Sequence, residues 1–219
     1  MSDGLSGKGG LPAVTARRTD PMTAVGMPLD RSGPVAQTAA RDHGSAEPRH
    51  AVIFHGTGAP PSVLWYRWLG DRLAARGYDV EVPHHPGINI EPVADMLPGV
   101  LAAHTFGPGT VLVGHSGGAA LLLALLEKLE RPVAQAVLVA GYCTRPNESE
   151  EPVLQESYDW SAIRAGVRDL VLVNSVTDPY GCDAAQGRAM FDRLGGTQVI
   201  RDDGHFETDT LEIVDRLIP

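Results

Sequence analysis

The chain is poor in cysteine, poor in lysine and without a long uninterrupted apolar run. Each shortage closes off a class of protein. Cys143 and Cys182 are the only cysteines in 219 residues. Two thiols cannot build the disulfide framework of a small secreted domain, so a reduced, cytoplasmic protein is expected. Lysine occurs only as Lys8 and Lys128, and Lys and Arg form no block. With a net charge of -9, the chain offers no footprint for nucleic acid or for an anionic membrane surface. The longest apolar run, Val111 to Leu126, is interrupted by His115, Ser116 and three glycines. It falls short of the ~18 clean residues that a membrane span requires. The N-terminus lacks the continuous apolar region of a secretory signal. Arg17-Arg18 is followed by Thr19-Asp20-Pro21, which breaks a twin-arginine pattern.

What is present suits one globular domain. Hydrophobic residues make up 43% of the chain, and its length allows a sizeable core. Residues 1 to 48 are rich in Gly, Pro, Ser, Thr, Ala and Asp and hold no apolar period. They read as a disordered tail ahead of a domain over residues 49 to 219. From Arg49 onward short β-rich runs alternate with helical stretches. The strands are expected at 51–54, 78–82, 110–113, 134–139, 170–173 and 197–200. The helices are expected at 63–75, 93–103, 118–130, 159–165, 184–194 and 208–217. Such alternation with continuous apolar strands predicts an α/β fold, a mainly parallel six-stranded sheet with helices on both faces. Right-handed crossovers then place every strand C-terminus on one edge, where sites of this class form.

One segment carries the chemistry. Val111-Leu112-Val113 runs into Gly114-His115-Ser116-Gly117-Gly118, and an Ala/Leu helix begins at once. A nucleophile elbow requires that order: the serine sits on a sharp turn between strand and helix. Gly114 and Gly118 keep Cβ atoms out of the crowded turn. The helix N-terminus aims N–H groups at the serine's reaction partner. Upstream, Phe54-His55-Gly56-Thr57-Gly58 ends the first strand in a His-Gly turn, where a second oxyanion donor belongs. The backbone N–H groups of Thr57 and Gly117 are the expected donors.

An acid and a base should follow the serine. Asp178 lies just past a strand in Thr177-Asp178-Pro179-Tyr180. His205, in Gly204-His205-Phe206, is the only histidine after Ser116, so the order Ser–Asp–His closes in one way. Asp202 and Asp203 are too near His205 in sequence for the usual geometry, and Asp183 reads as the start of a helix. His115 should diverge from its neighbour Ser116 and pack or line the pocket. His55, Gly56 and Cys143 are further candidates to line it, and Trp65, clustered with Tyr66 and Trp68 on an early helix, packs in the core or a lid or else lines the pocket. His84-His85 reads as a loop at the site's edge, without a third ligand for a metal. The acidic segment Thr144 to Glu156 is either an exposed loop or a flap.

At these residues the chain resembles the small serine hydrolase family of the α/β-hydrolase fold, the family that includes the retinoblastoma-binding serine hydrolase. The matching pieces are His55-Gly56, Trp65 with Leu69, Gly114 to Gly118, Thr177 to Tyr180 and Gly204 to Phe206. The likeness spans about residue 50 to 219. It implies a compact hydrolase with little or no lid, and Ser116, Asp178 and His205 as nucleophile, acid and base. Thr57 stands where relatives often carry Asn, and the helix near Asp95–Leu97 lacks an expected tryptophan. The reading is a serine hydrolase for an ester, thioester or small amide, with a small-molecule acyl substrate, no metal and no organic cofactor. A non-catalytic ligand- or protein-binding module, or a cyclase or lyase on the same fold, remains open at this point. The sequence does not speak to oligomeric state.

Overall fold

A computed structural model describes residues 48–219. The stretch read as a tail lies outside the described residues but for Pro48. Six strands form one sheet: β1 (His50–Phe54), β2 (Asp79–Glu81), β3 (Thr110–His115), β4 (Val133–Val139), β5 (Val167–Ser175) and β6 (Thr197–Arg201). Their order is β2-β1-β3-β4-β5-β6, and every neighbouring pair is parallel. Among the described residues, six α-helices connect or follow them: α1 (Tyr66–Ala75), α2 (Val93–Ala103), α3 (Gly117–Lys128), α4 (Trp160–Ala165), α5 (Ala184–Leu194) and α6 (Glu212–Leu217), with a 3₁₀ turn at Pro146–Glu148.

The apolar strands lie where both faces are covered. All of β3 is buried, as is β1 past His50. The edge strands are partly exposed, and β2 is only three residues long. Helix packing sorts into two groups. α1 meets α6, while α2, α3, α4 and α5 touch in succession. The strand order explains the split. The chain steps one way from β1 to β2, then reverses past β1 to β3, and right-handed crossovers put the two directions on opposite faces. The reversal falls between β1 and β3, the switch point where ligands of open α/β sheets bind.

The predicted elements are all present, with α2 and α5 at the expected bounds. The differences have local causes. α1 starts at Tyr66 rather than at residue 63, because Leu64 holds φ 55° and no helix propagates through it. β5 starts at Val167, before the apolar run, where exposed Arg168 and Asp169 hide the strand signal. There Gln135 Nε2 donates to Asp169 Oδ2 at 2.7 Å across β4 and β5. α3 is buried from Gly117 to Leu126, so its nearly all-round apolar sequence matches its place between sheet and neighbouring helices. Among the described residues, no helix is long and apolar enough to cross a membrane.

Candidate active site

Ser116 is the hinge between β3 and α3. Its φ is 53° and ψ -119°, a strained conformation for a residue with a Cβ. Three backbone bonds hold it there. Ser116 N–H donates to Val139 O at 2.9 Å, and Ser116 O accepts from the N–H of Ala119 and Ala120 at 2.9 and 3.0 Å. The flanking glycines are obligatory. A Cβ on Gly118 would lie 2.5 Å from His55 O, and one on Gly114 would lie 2.6 Å from Gly118 O. The elbow therefore packs backbone against backbone, directly under the loop that follows β1.

The loops after β5 and β6 are stitched together by hydroxyls. Thr177 Oγ1 donates to Asp202 Oδ1 at 2.6 Å, and Asp203 N–H donates to Ser175 Oγ at 3.1 Å. This brings Asp178 and His205 together, though 27 residues apart. Their Oδ2 and Nδ1 lie 2.7 Å apart, with the Asp178 side chain fully buried and His205 7% exposed. The other carboxylate oxygen of Asp178 accepts from Tyr180 N–H at 2.9 Å. The Tyr180 ring meets the imidazole edge-on at 4.6 Å. The competing carboxylates are engaged elsewhere. Asp183 caps α5, Asp202 takes the Thr177 hydroxyl, and Asp203 pairs with Arg201.

Ser116 and His205 line one cavity of about 450 Å³. Thr57 lines it too, and a Cβ on Gly117 would lie 2.6 Å from Thr57 Oγ1, so the two expected donor residues adjoin. Neither of their N–H groups donates to a protein acceptor among the described residues. The acidic segment also lines the cavity, through Pro146, Asn147, Ser149 and Glu151. Its anchor is the Glu151 carboxylate, which accepts from Tyr142 Oη at 2.5 Å, Asn89 Nδ2 at 2.5 Å and Ser149 Oγ at 2.7 Å. Burial, followed by the Glu151 carboxylate, pushes the Tyr142 hydroxyl far above its usual pKa, so it stays protonated and donates.

The serine hydrolase family model matches residues 51–211. The chain belongs to that family. The YdeN protein of Bacillus subtilis (strain 168) is 26% identical over 168 residues, 71% of this hydrolase and 88% of YdeN. The solved YdeN structure superposes with a TM-score of 0.72 at 23% identity, covering 78% of this chain and 96% of that one. The ferulic-acid-bound Est1E of Butyrivibrio proteoclasticus gives a TM-score of 0.58 at 12% identity, covering 77% and 86%. Mouse alpha/beta hydrolase domain-containing protein 10 also gives 0.58, at 13% identity, covering 77% and 87%. The fold is accordingly the expected α/β-hydrolase one.

Of the residues named for the hydrolase's pocket, His55, Gly56, Trp65 and Cys143 do not line it, and His115 takes the packing role of its two expected ones. His115 is buried and neutral. Burial and then the neighbouring His205 press its pKa down to about 3. Its Nε2–H donates to His205 O at 2.8 Å, and its Nδ1 accepts from Tyr66 Oη at 2.7 Å. Tyr66 Oη in turn accepts from Gly56 N–H at 3.0 Å. One buried chain thus joins the loop bearing Thr57 to the loop bearing His205. Trp65 is fully buried and supports the same loop, donating from Nε1 to Phe206 O at 3.0 Å. His55 is buried, donating from Nδ1 to Gly56 O at 2.8 Å and accepting at Nε2 from His85 N–H at 3.1 Å. Cys143 lines a different hollow beside Trp160 and Arg193, because its N–H bonds Gln186 of α5 and turns it that way.

Cys182 takes the place expected of Cys143, on the cavity wall and 2% exposed. Burial and then Asp178 raise its thiol pKa far above the ordinary value, so it is no second nucleophile. Sequence reasoning missed Cys182, Asn89, Tyr142 and Glu151. No local pattern marks them, since Asn89, Tyr142 and Glu151 lie apart in the sequence and meet only through hydrogen bonds made in the fold. The His84-His85 pair gained partners that spacing hides. His85 Nε2 lies 3.0 Å from His104 Nε2, and His104 and His50 both bond Glu81, at 2.7 and 2.8 Å.

Proposed function

We propose that the chain is an acyl-serine hydrolase for small carboxylic esters, thioesters or amides, with Ser116 as nucleophile, His205 as base and Asp178 as the acid that orients it. One observation carries this reading. The 2.7 Å Asp178–His205 pair opens onto the same cavity as a serine held at φ 53° on a strand–helix hinge. Asp178 accepts the Nδ1–H, which leaves the Nε2 lone pair of His205 free to take the serine proton. As Ser116 Oγ attacks the acyl carbon, the carbonyl π electrons move onto oxygen. The N–H groups of Thr57 and Gly117 receive that charge, and removing one such donor costs about 10²–10³ in rate. Collapse expels the alcohol, thiol or amine with the proton from His205. Water, deprotonated by the same imidazole, then releases the acid from the serine.

The size and polarity of the cavity support a small substrate. Tyr180, Asn147 and Glu207 ring it with polar atoms, and 450 Å³ holds a compact acyl group. The test is a fluorophosphonate probe followed by a panel of p-nitrophenyl esters and acyl thioesters of increasing length. Wild type is expected to label and to turn over short acyl chains, and Ser116→Ala to do neither. Folded wild type that resists the probe at every concentration would overturn the reading.

A further inference from the structure

The cavity wall holds a second constellation that acyl transfer does not use. Cys182 Sγ, a ring nitrogen of His205 and a carboxylate oxygen of Asp178 all lie within 4.8 Å of one another. Among the described residues, no other group of three or more His, Cys, Asp or Glu side chains meets that distance. Cys182 is a free thiol, and it faces the same opening as His205. We infer that these three side chains form a binding site for a thiophilic divalent cation, zinc above all, and that an occupied site switches the hydrolase off. The inhibitory half rests on the proposed function; the binding half does not.

The donor set selects the metal. One sulfur, one imidazole nitrogen and one carboxylate oxygen suit zinc, at bond lengths of about 2.3, 2.0 and 2.1 Å. Tetrahedral bonds of that length put neighbouring donors roughly 3.3–3.7 Å apart. The three donors therefore reach zinc geometry by shifts of about an ångström or less, the His205–Asp178 contact opening from 2.7 Å. The fourth position faces the cavity and takes water. Magnesium, which demands six oxygens in a tight octahedron, has no such set here.

The charge also closes. The thiol releases its proton to solvent, so thiolate and Asp178 carboxylate balance the dication, and His205 binds neutral. Glu151 and Glu207 line the same cavity, and no Lys or Arg does. A cation entering by that route meets only favourable charge.

The consequence for His205 follows from its two nitrogens. If zinc takes Nδ1, the ring's single proton moves to Nε2, which can no longer accept the proton of Ser116. If zinc takes Nε2, the lone pair is itself consumed. In either case the base is lost while the fold stays intact.

The test uses the untagged full-length chain. Zinc is titrated in competition with a chromophoric chelator, on wild type and on Ser116→Ala, so that binding is read without turnover. One zinc per chain is expected. Cys182→Ser and Cys182→Ala should weaken binding roughly tenfold or more, the scale on which lost metal-site groups act. Cys143→Ser should keep wild-type affinity, and circular dichroism with a thermal melt shows whether each variant folds. Zinc should also stop p-nitrophenyl acetate hydrolysis by wild type, with recovery on adding EDTA, and magnesium should not. The Cys182 variants should keep their own metal-free rates at the same zinc concentration. Absence of bound zinc, or equal affinity in folded Cys182 variants, overturns the site. Full activity with one Cys182-dependent zinc bound overturns the switch. Cys182-dependent binding to a chain that hydrolyses no ester supports the site and counts against the acyl substrate instead.

Discussion

Tyr66→Phe removes one oxygen atom, and two buried groups lose their partner. Gly56 N–H donates to that oxygen at 3.0 Å, and the hydroxyl donates to His115 Nδ1 at 2.7 Å. No water reaches the replacement: Tyr66 and Gly56 are buried and His115 is 2% exposed. An orphaned buried donor or acceptor costs about 1–3 kcal/mol. The two together therefore cost about 2–6 kcal/mol, a large share of the 5–15 kcal/mol that typically holds a domain. Urea unfolding followed by tryptophan fluorescence is the assay, with the midpoint expected to fall and the slope unchanged. The loss should be coupled to its neighbour. In a double-mutant cycle with His115→Phe, the interaction energy should be on the order of 1 kcal/mol or more. Activity should suffer in kcat more than in KM, because the chain joins the donor loop to the base loop without entering the cavity. A Tyr66→Phe protein within about 0.5 kcal/mol of wild type, or a cycle that sums additively, would refute the reasoning.

Acid should unfold the protein early. His115 stays neutral in the fold down to about pH 3, whereas in the unfolded chain it protonates near 6.5. The unfolded state binds more protons in that window, so this contribution to stability is whole above pH 6.5 and drains away on acidification. Between pH 7 and pH 5 about 2 kcal/mol should go, and His115→Gln should show a pH slope flatter by that amount in urea melts. Gly118→Ala drives a Cβ to 2.5 Å from His55 O and 2.7 Å from Phe54 O. It should cost about 1–3 kcal/mol in stability and, by shifting the Thr57 loop, about 10²-fold in kcat. Glu151→Gln places an NH₂ among three donors, so it should loosen the wall, raise KM, and speed limited proteolysis between residues 144 and 156. An unchanged cleavage pattern would count against the anchoring role.

The order of elements, the parallel sheet and the elbow were legible in the residues themselves. Apolar runs such as Val111–Val113 and the Gly-x-Ser-x-Gly turn act through neighbours a few residues away, and the chain prints those neighbours side by side. The pairing of Asp178 with His205 was also legible, because only one histidine follows Ser116, Asp202 and Asp203 lie too near it in sequence, and Asp183 reads as a helix start. Tertiary structure alone decided which side chains face the cavity and which stand behind it. Trp65, His55 and His115 carry the polar, bulky chemistry of pocket residues, yet their partners at Phe206, His85 and His205 turn them inward. Cys182 faces the site and Cys143 does not, although both follow a strand end, because Gln186 of α5 claims the backbone of Cys143. Local periodicity sets where a strand or helix runs. The direction of a side chain at its end depends on which distant hydrogen-bond partner arrives, and that is known only once the sheet has assembled.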